Sequence, residues 1–162
     1  MIVYLDVLEL YYLPQYFPVV KELERRGIEC IYIFYRNGER EGQQLAVISE
    51  FGLAVKWVDG KAGAKALYLV DKPDWILLGS TFDGLNEIHG CSKTGLLGHG
   101  IGPKSAYYNM SGSAPTVRFV EGEYRVNRLK SMYPDQCFVN TGYPKLDPLI
   151  NGELLGGGLS DF

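Results

Sequence analysis

The sequence is short of histidine, cysteine and long apolar runs, and each shortage removes a class of function. Only two histidines and three cysteines occur among 162 residues. Cys30, Cys91 and Cys137 share no close spacing, so neither a zinc centre nor a disulfide framework is predicted. An odd number of cysteines favours reduced thiols, as in a cytoplasmic protein. Cys30 and Cys137 each lie in an apolar run, which predicts that both side chains are in the core.

Features typical of membrane-spanning and nucleic-acid-binding proteins are also missing. No apolar run approaches the roughly 20 residues that a helix needs to span a bilayer. Met1 is followed by a β-prone segment without the basic stretch of a signal peptide. Any contact with a membrane is therefore predicted to be peripheral. The net charge of -3 argues against a general nucleic-acid binder, so no nucleic-acid partner is predicted.

What the chain does contain is a regular alternation of strands and helices. Apolar residues make up 46% of the composition, enough for the core of one ordinary domain. The alternation predicts an α/β fold with a Rossmann-like parallel sheet flanked by helices. The predicted strands cover residues 2–10, 28–36, 54–58, 75–79, 94–99, 116–120 and 138–142, and the predicted helices cover 15–26, 41–51, 60–70 and 121–133. Residues 105–115 are predicted as loop. The domain is predicted over 1–150, with 151–162 as a flexible tail or the start of an interdomain linker.

A histidine flanked by glycines follows the fifth predicted strand. Gly98, Gly100 and Gly102 remove side chains from around His99, which lets a ligand approach closely. Parallel α/β folds carry their chemistry at the carboxyl ends of strands, and an imidazole there can exchange a proton near neutral pH. Lys104 would offset the charge of a phosphate-bearing ligand. The alternative is a tight strand exit with one surface histidine and a solvated lysine.

The same glycines do not form a cofactor motif. The spacing of Gly98, Gly100 and Gly102 lacks the third glycine of the dinucleotide fingerprint at its required position, and no good helix follows. No phosphate loop of the Walker type occurs either. The sequence therefore predicts neither a cofactor nor a metal.

A second candidate segment follows the fourth predicted strand. Ser80 and Thr81 present hydroxyl groups and backbone amides that are able to hold a polar ligand. An N-cap for the next helix explains them at least as well. His89, which lies outside any strand end, is interpreted as a surface or packing residue.

A third candidate segment follows the last predicted strand. Gly142 permits an unusual backbone angle, Tyr143 comes next, and Pro144 restricts the following step. Asp147 is predicted to cap a helix that begins at Pro148. The alternative is a strand-to-helix elbow that binds nothing.

Two of these segments resemble blocks of one enzyme family. His99-Gly-Ile-Gly-Pro-Lys104 resembles the His-Gly-x-x-x-Lys block of the CDP-glycerol glycerophosphotransferases, which are the polymerases and primases of wall teichoic acid. Some forty residues later, Thr141-Gly-Tyr-Pro-Lys-Leu-Asp147 resembles their Thr-Gly-Tyr-Pro-Arg-x-Asp block, in the same order and at a similar spacing. The match covers about residues 90–150, whereas 1–89 match only in layout.

The resemblance implies one half of a GT-B fold, in which two Rossmann-like domains face a cleft and the N-terminal half holds the acceptor. The family moves glycerol phosphate from CDP-glycerol to a hydroxyl of a membrane-linked polyol-phosphate acceptor and releases CMP. Carried over, His99 is the general base, Lys104 helps to hold phosphate, and residues 142–147 shape the cleft.

The resemblance also implies that the CDP-activated donor is bound by a separate C-terminal domain, so the isolated chain is predicted to be inactive. It implies a cytoplasmic transferase that takes part in cell-wall synthesis and that is able to contact the inner face of the cell membrane peripherally.

The sequence departs from the family pattern at two places. Gly98 stands where the family often has an aromatic residue, and residues 101–103 replace a small polar residue and a proline. Two other functions therefore stay open. One is a GT-B enzyme that uses a nucleotide sugar, such as a glycosyltransferase or a UDP-sugar epimerase. The other is a non-catalytic Rossmann-like binding module.

Overall fold

Seven strands pair in one parallel sheet within the part of the chain that the structure describes. The computed structural model describes residues 1–100, 104–109 and 114–153. The strands are β1 (Ile2–Val7), β2 (Glu29–Tyr35), β3 (Val55–Val58), β4 (Trp75–Leu78), β5 (Lys93–Leu96), β6 (Val117–Val120) and β7 (Phe138–Asn140). Their order across the sheet is β3-β2-β1-β4-β5-β6-β7, and every neighbouring pair is parallel. The predicted Rossmann-like α/β fold is confirmed.

Among the described residues, six helices lie in the connections between these strands, and a seventh follows β7. They are α1 (Leu13–Arg25), α2 (Glu41–Phe51), α3 (Gly60–Asp71), α4 (Leu85–Ile88), α5 (Ser105–Asn109), α6 (Glu123–Met132) and α7 (Asp147–Ile150). Short 3-10 turns at Leu10–Tyr12 and Pro144–Leu146 lead into α1 and α7. None of the described helices is long and apolar enough to cross a membrane.

Some predicted boundaries were wrong. The first strand ends at Val7 because the chain turns into the 3-10 helix at Leu10. Residues 105–109 form α5 and not a loop, and the helix buries Tyr108 against β6 and α6. The strand before His99 ends at Leu96, so His99 lies in the loop beyond it.

The sheet is covered on both faces. On one face, alternate residues of β1 and β2 pack with α1, and on the other they pack with α3 and α4. A third cluster joins α5, β6, α6 and β7. Burial on both faces explains the nearly continuous apolar pattern of β1 and β2, because a parallel strand between two helical layers has no solvent face.

The predicted burial of the cysteines holds for only one of the two. Cys30 lies on β2 and is 5% exposed, and burial raises the pKa of its thiol to about 11. Cys137 is exposed. It precedes β7, the edge strand, in which only Phe138 is buried, so the apolar run there has a core on one side only.

The segment after residue 150 is described only in part. Residues 151–153 form a turn, and Glu153 makes an ion pair with Lys21 of α1 at 2.9 Å. The rest of the predicted tail, 154–162, lies outside the described residues.

The strand order fixes where a ligand crevice lies. The chain moves outward from β1 to β2 and β3, then returns to β4 on the other side of β1. Loops that leave β1 and β4 therefore diverge at their carboxyl ends, and parallel α/β folds bind ligands at this switch point. The loop after β1 leads to Tyr11 and Tyr12, and the loop after β4 begins at Gly79.

Candidate functional site

His99 lies at this crevice. It follows β5 by three residues, and its ring reaches back to the end of β4, where Nδ1 lies 2.8 Å from the backbone carbonyl oxygen of Gly79. The side chain is half-buried. The ring is therefore outside the core, at the carboxyl ends of the strands, next to the loop that follows β4.

The contact with Gly79 determines which ring nitrogen carries the proton. A carbonyl oxygen only accepts hydrogen bonds, so Nδ1 of His99 donates and bears hydrogen. In the neutral ring Nε2 then has a lone pair and is able to accept a proton. No partner of Nε2 is found among the described residues. This tautomer is the one that a general base acting through Nε2 requires.

Tyrosine rings hold the imidazole in place. The Tyr12 ring stacks on it with centroids 5.1 Å apart and an interplanar angle of 20°. The Tyr11 ring meets it edge-on at 5.2 Å, and the Tyr107 ring at 6.3 Å. Tyr12 is itself buried, and burial raises the pKa of its phenol, so the hydroxyl stays protonated.

Glycine is required at two positions around this ring. A Cβ on Gly79 would lie 2.4 Å from the Tyr12 ring, so only glycine allows the close approach that brings its carbonyl to His99. Gly98 has a φ of +71°, in the left-handed region that favours glycine. The backbone turn before His99 therefore requires glycine at position 98. The close packing of the Tyr12 ring against the loop after β4 requires glycine at position 79.

The third predicted segment also reaches the histidine loop. The hydroxyl of Tyr143 donates a hydrogen bond to the backbone oxygen of His99 at 3.2 Å. Burial raises the pKa of Tyr143, with Tyr107 and Glu121 contributing in the same direction, which keeps the donor protonated. Loops after β4, β5 and β7 thus meet at His99.

The other predicted residues lie at varied distances from this centre. Ser80 is half-buried and interacts with the Tyr12 side chain, and Thr81 is half-buried beside it in sequence. Lys104 is exposed immediately before α5. Gly100 is half-buried, and a Cβ there would lie 2.9 Å from the Tyr107 hydroxyl. Gly102 lies outside the described residues.

The segment 142–147 contributes fewer residues to the site around His99 than the sequence predicts. Gly142 and Pro144 shape the turn into the 3-10 helix. The predicted capping role of Asp147 was wrong: it is the first residue of α7, with helical angles, and its side chain makes no capping bond. The 3-10 turn continues directly into α7, so Asp147 lacks the extended backbone that an N-cap needs. It lines a surface cleft with Lys21 of α1.

A basic and aromatic cluster adjoins the site. Arg125 of α6 is 8% exposed, pairs with Glu121 at 2.6 Å, and lies over the rings of Tyr107 and Tyr108 at 5.8 and 5.0 Å. Arg128 lies over Tyr108 at 4.5 Å. Tyr107 thus contacts both His99 and the cationic cluster. Guanidinium groups recognise phosphate, so the charge beside the crevice suits an anionic ligand.

Sequence reasoning missed several residues of this site. Tyr11 and Tyr12 follow β1 at the switch point, and their position after a predicted strand was a usable signal. Tyr107 was assigned to a loop. Arg125 gave no local signal, because it reaches the site only through the packing of α6.

The second histidine and the possible metal ligands lie elsewhere. His89 is exposed and precedes β5, so it lies at the amino ends of the strands, whereas His99 lies at their carboxyl ends. Its Nε2 is 2.7 Å from the hydroxyl of Thr94. Burial lowers the pKa of His89. Within residues 1–100, 104–109 and 114–153, no group of three or more His, Cys, Asp or Glu side chains is arranged to hold a metal ion.

Neither a protein-family model nor a curated protein matches this chain.

Proposed function

We propose that this chain is the acceptor-side domain of a glycerophosphotransferase that moves glycerol phosphate from CDP-glycerol to a hydroxyl of a membrane-linked polyol-phosphate acceptor. The observation that carries the proposal is the hydrogen bond from Nδ1 of His99 to the Gly79 carbonyl. It leaves Nε2 as a base at the crevice where α/β folds bind their ligands. The sequence resemblance over residues 90–150 supplies the substrate class.

The chemistry assigned to His99 is removal of the acceptor proton. Nε2 takes the proton of the attacking hydroxyl as its oxygen bonds to the phosphorus that carries glycerol. The bond from that phosphorus to the CMP oxygen breaks, and CMP leaves. The resulting imidazolium is stabilised by the Gly79 carbonyl, which accepts the Nδ1–H bond. A positioned base of this kind contributes about 10²–10⁴-fold to a rate.

The charges around the crevice support a phosphate-bearing ligand. Arg125 lies over the Tyr107 ring, Arg128 lies over the Tyr108 ring, and Lys104 is exposed immediately before α5. The net charge of the chain is -3, so this cluster is a local feature and not a general excess of cations. Such a cluster favours an anionic acceptor over a neutral one.

The experiment is a CMP-release assay with CDP-glycerol on the protein encoded by the complete reading frame. His99→Ala is expected to lower turnover about 10²–10⁴-fold, because the base is lost. His99→Gln keeps a donor for Gly79 but accepts no proton, and should be equally slow.

His89→Ala is the matched control, since it removes the only other histidine, which lies at the amino ends of the strands. Its turnover should stay within about twofold of the unmodified protein. Full turnover in His99→Ala would end the assignment of a base. A panel of CDP-glycerol, CDP-ribitol and UDP-sugars tests the donor: turnover of a UDP-sugar alone points to the nucleotide-sugar enzyme, and turnover of none points to the binding module.

A further inference from the structure

A small polar cavity adjoins the loop that carries His99. Its walls include Gln15 of α1, Gly100, Arg118 of β6, Glu121, Thr141 and Tyr143. Its volume is about 10 Å³, which is room for one group the size of a water molecule.

Gln15 lines this cavity with a side-chain oxygen that has no hydrogen-bond partner among the described residues. The side chain is 2% exposed, and its Oε1 is buried without a hydrogen-bond partner in the described residues. Buried polar atoms are normally paired, so an unpaired one facing a cavity points to a group that occupies it. Gln44 of α2 also has an unpaired Oε1, but its amide is anchored because Nε2 donates to the Tyr35 carbonyl at 2.8 Å.

The opposite walls restrict the chemistry of the occupant. Arg118 is 5% exposed and brings guanidinium donors to the cavity, and Glu121 pairs with Arg125 beside it. A cation is disfavoured because the Arg118 side chain lines the cavity and the Glu121 carboxylate there is already paired with Arg125. A methyl group would leave Gln15 unpaired, and a phosphate is too large. A hydroxyl fits, because it donates to a glutamine oxygen and accepts from a guanidinium, and it suits either orientation of the amide.

The cavity and the imidazole share their supporting residues. Gly100 directly follows His99 in the chain, and Tyr143, whose hydroxyl donates to the His99 backbone oxygen at 3.2 Å, lines the cavity. The cavity therefore lies beside the loop whose histidine is proposed to bind the reacting hydroxyl.

We propose that this cavity is a subsite for one hydroxyl group of a polyol phosphate, and that Gln15 selects it. This assignment rests on the function proposed above, since the reacting hydroxyl of the ligand is taken to lie at His99. Gln15 acts as a specificity-determining residue and takes no part in the proton transfer.

The test compares two ligands that differ by one hydroxyl. Calorimetric titration of the 162-residue chain with glycerol 3-phosphate and with 3-hydroxypropyl phosphate measures the contribution of the extra hydroxyl. The unmodified chain is expected to bind glycerol 3-phosphate about tenfold more tightly, as one additional hydrogen bond to a buried acceptor predicts. Gln15→Met, which keeps the length but removes the amide, should reduce the preference to below about twofold.

Gln44→Met is the matched control, because it also removes a buried amide, and it should keep the tenfold preference. If Gln15→Met does not fold, as circular dichroism would show, Gln15→Asn withdraws the amide by one methylene and should lose the preference as well. Equal affinities in the unmodified chain would mean that the cavity holds only water, and would overturn the subsite. So would a preference that survives both Gln15 variants, or no saturable binding up to about 10 mM.

The binding experiment is independent of turnover. Absence of CMP release together with a preserved tenfold preference would refute glycerophosphotransfer and leave the hydroxyl subsite. CMP release without the preference would refute the subsite and leave the transferase.

Discussion

Asp6 carries a carboxyl group that is buried inside the protein and held by two tyrosine hydroxyl groups. It is 4% exposed on the central strand β1, and its side chain accepts hydrogen bonds from the neutral hydroxyl groups of Tyr35 and Tyr68, each at 2.6 Å. Burial raises the pKa of Asp6, although the two tyrosine bonds oppose that change. Because Tyr35 lies on β2 and Tyr68 on α3, the carboxyl group joins three elements below the crevice.

The buried carboxyl group should make stability depend on pH. Its pKa is raised in the folded state above the ordinary 3.8, so its contribution is fully present below that value and is lost as pH rises through the folded pKa. The loss is about 1.4 kcal/mol for each pH unit between the two pKa values. Asp6→Asn removes the charge, so the free energy of unfolding of the variant should rise relative to the unmodified chain as pH increases from 4.

Urea unfolding at intervals between pH 4 and pH 8 measures this difference. Asp83→Asn, at an exposed position, is the control and should follow the unmodified chain at every pH. Parallel curves for Asp6→Asn and the unmodified chain would contradict a raised pKa in the folded state.

At the scale of the elements, the loops after β1 and β4 support each other. Tyr12, at the end of the 3-10 turn after β1, lies in the space that a side chain on Gly79 would fill. Its ring then stacks on His99 from the loop after β5. The orientation of the imidazole is thus set by packing between connections of three different strands.

Gly79→Ala should disturb this arrangement. The added Cβ would lie 2.4 Å from the Tyr12 ring, which must move and release its stacking on His99. Overpacking of this kind costs about 1–3 kcal/mol. Urea unfolding measures the loss, and the imidazole proton resonances of His99 should shift as the ring current of Tyr12 moves.

Gly42→Ala provides the comparison. Gly42 lies in α2, and nothing is within 4 Å of a Cβ built there. Alanine in a helix should then be neutral or stabilise the protein by up to about 1 kcal/mol. If Gly79→Ala were as stable as Gly42→Ala, Tyr12 would not be packed as described.

For the whole molecule, the order of the strands predicts an order of stability. β1 pairs with β2 on one side and β4 on the other, and its Leu5 is fully buried, as are Ile33 of β2 and Ile76 of β4. β7 is a three-residue edge strand in which Val139 and Asn140 are exposed. Backbone amides of the central strands are therefore expected to exchange only when the whole domain unfolds, whereas those of β7 exchange through local unfolding.

Hydrogen exchange followed by mass spectrometry tests this order. Peptides covering β1 and β4 should exchange at least about tenfold more slowly than a peptide covering β7. Exchange of β7 at the same rate as β1 would mean that the sheet opens as one unit and that its edge is no weaker than its centre.

The molecule also has a larger apolar cavity, which shares Leu97, Phe119 and Thr141 with the small polar cavity. It has a volume of about 290 Å³, and its walls are almost entirely apolar, with Val19 and Leu23 from α1 and Trp75, Leu77 and Phe119 from the sheet. Of the predicted site residues that the structure describes, Pro144 alone lines it. The proposed proton transfer is therefore assigned to the crevice and not to this cavity.

Part of the site could be predicted from sequence because its signals are local. The glycines around His99 and their position after a strand are visible in a few residues, and so is the turn at Gly142. Tyr107 and Gln15 could not be assigned in this way, because their role depends on residues far away in the chain. Asp147 was misplaced for a local reason, since the continuation of a 3-10 turn into a helix leaves no trace in residue types.

The sequence by itself determined the elements: apolar periodicity and turn residues specify where strands and helices lie, because both depend on neighbours a few positions apart. Only the tertiary structure decided the strand order, and with it the crevice between β1 and β4. It also decided the contact of His99 with a carbonyl twenty residues away and the exposure of Cys137 at the edge of the sheet. Those features depend on which strands become neighbours, and that choice minimises the free energy of the whole packed chain.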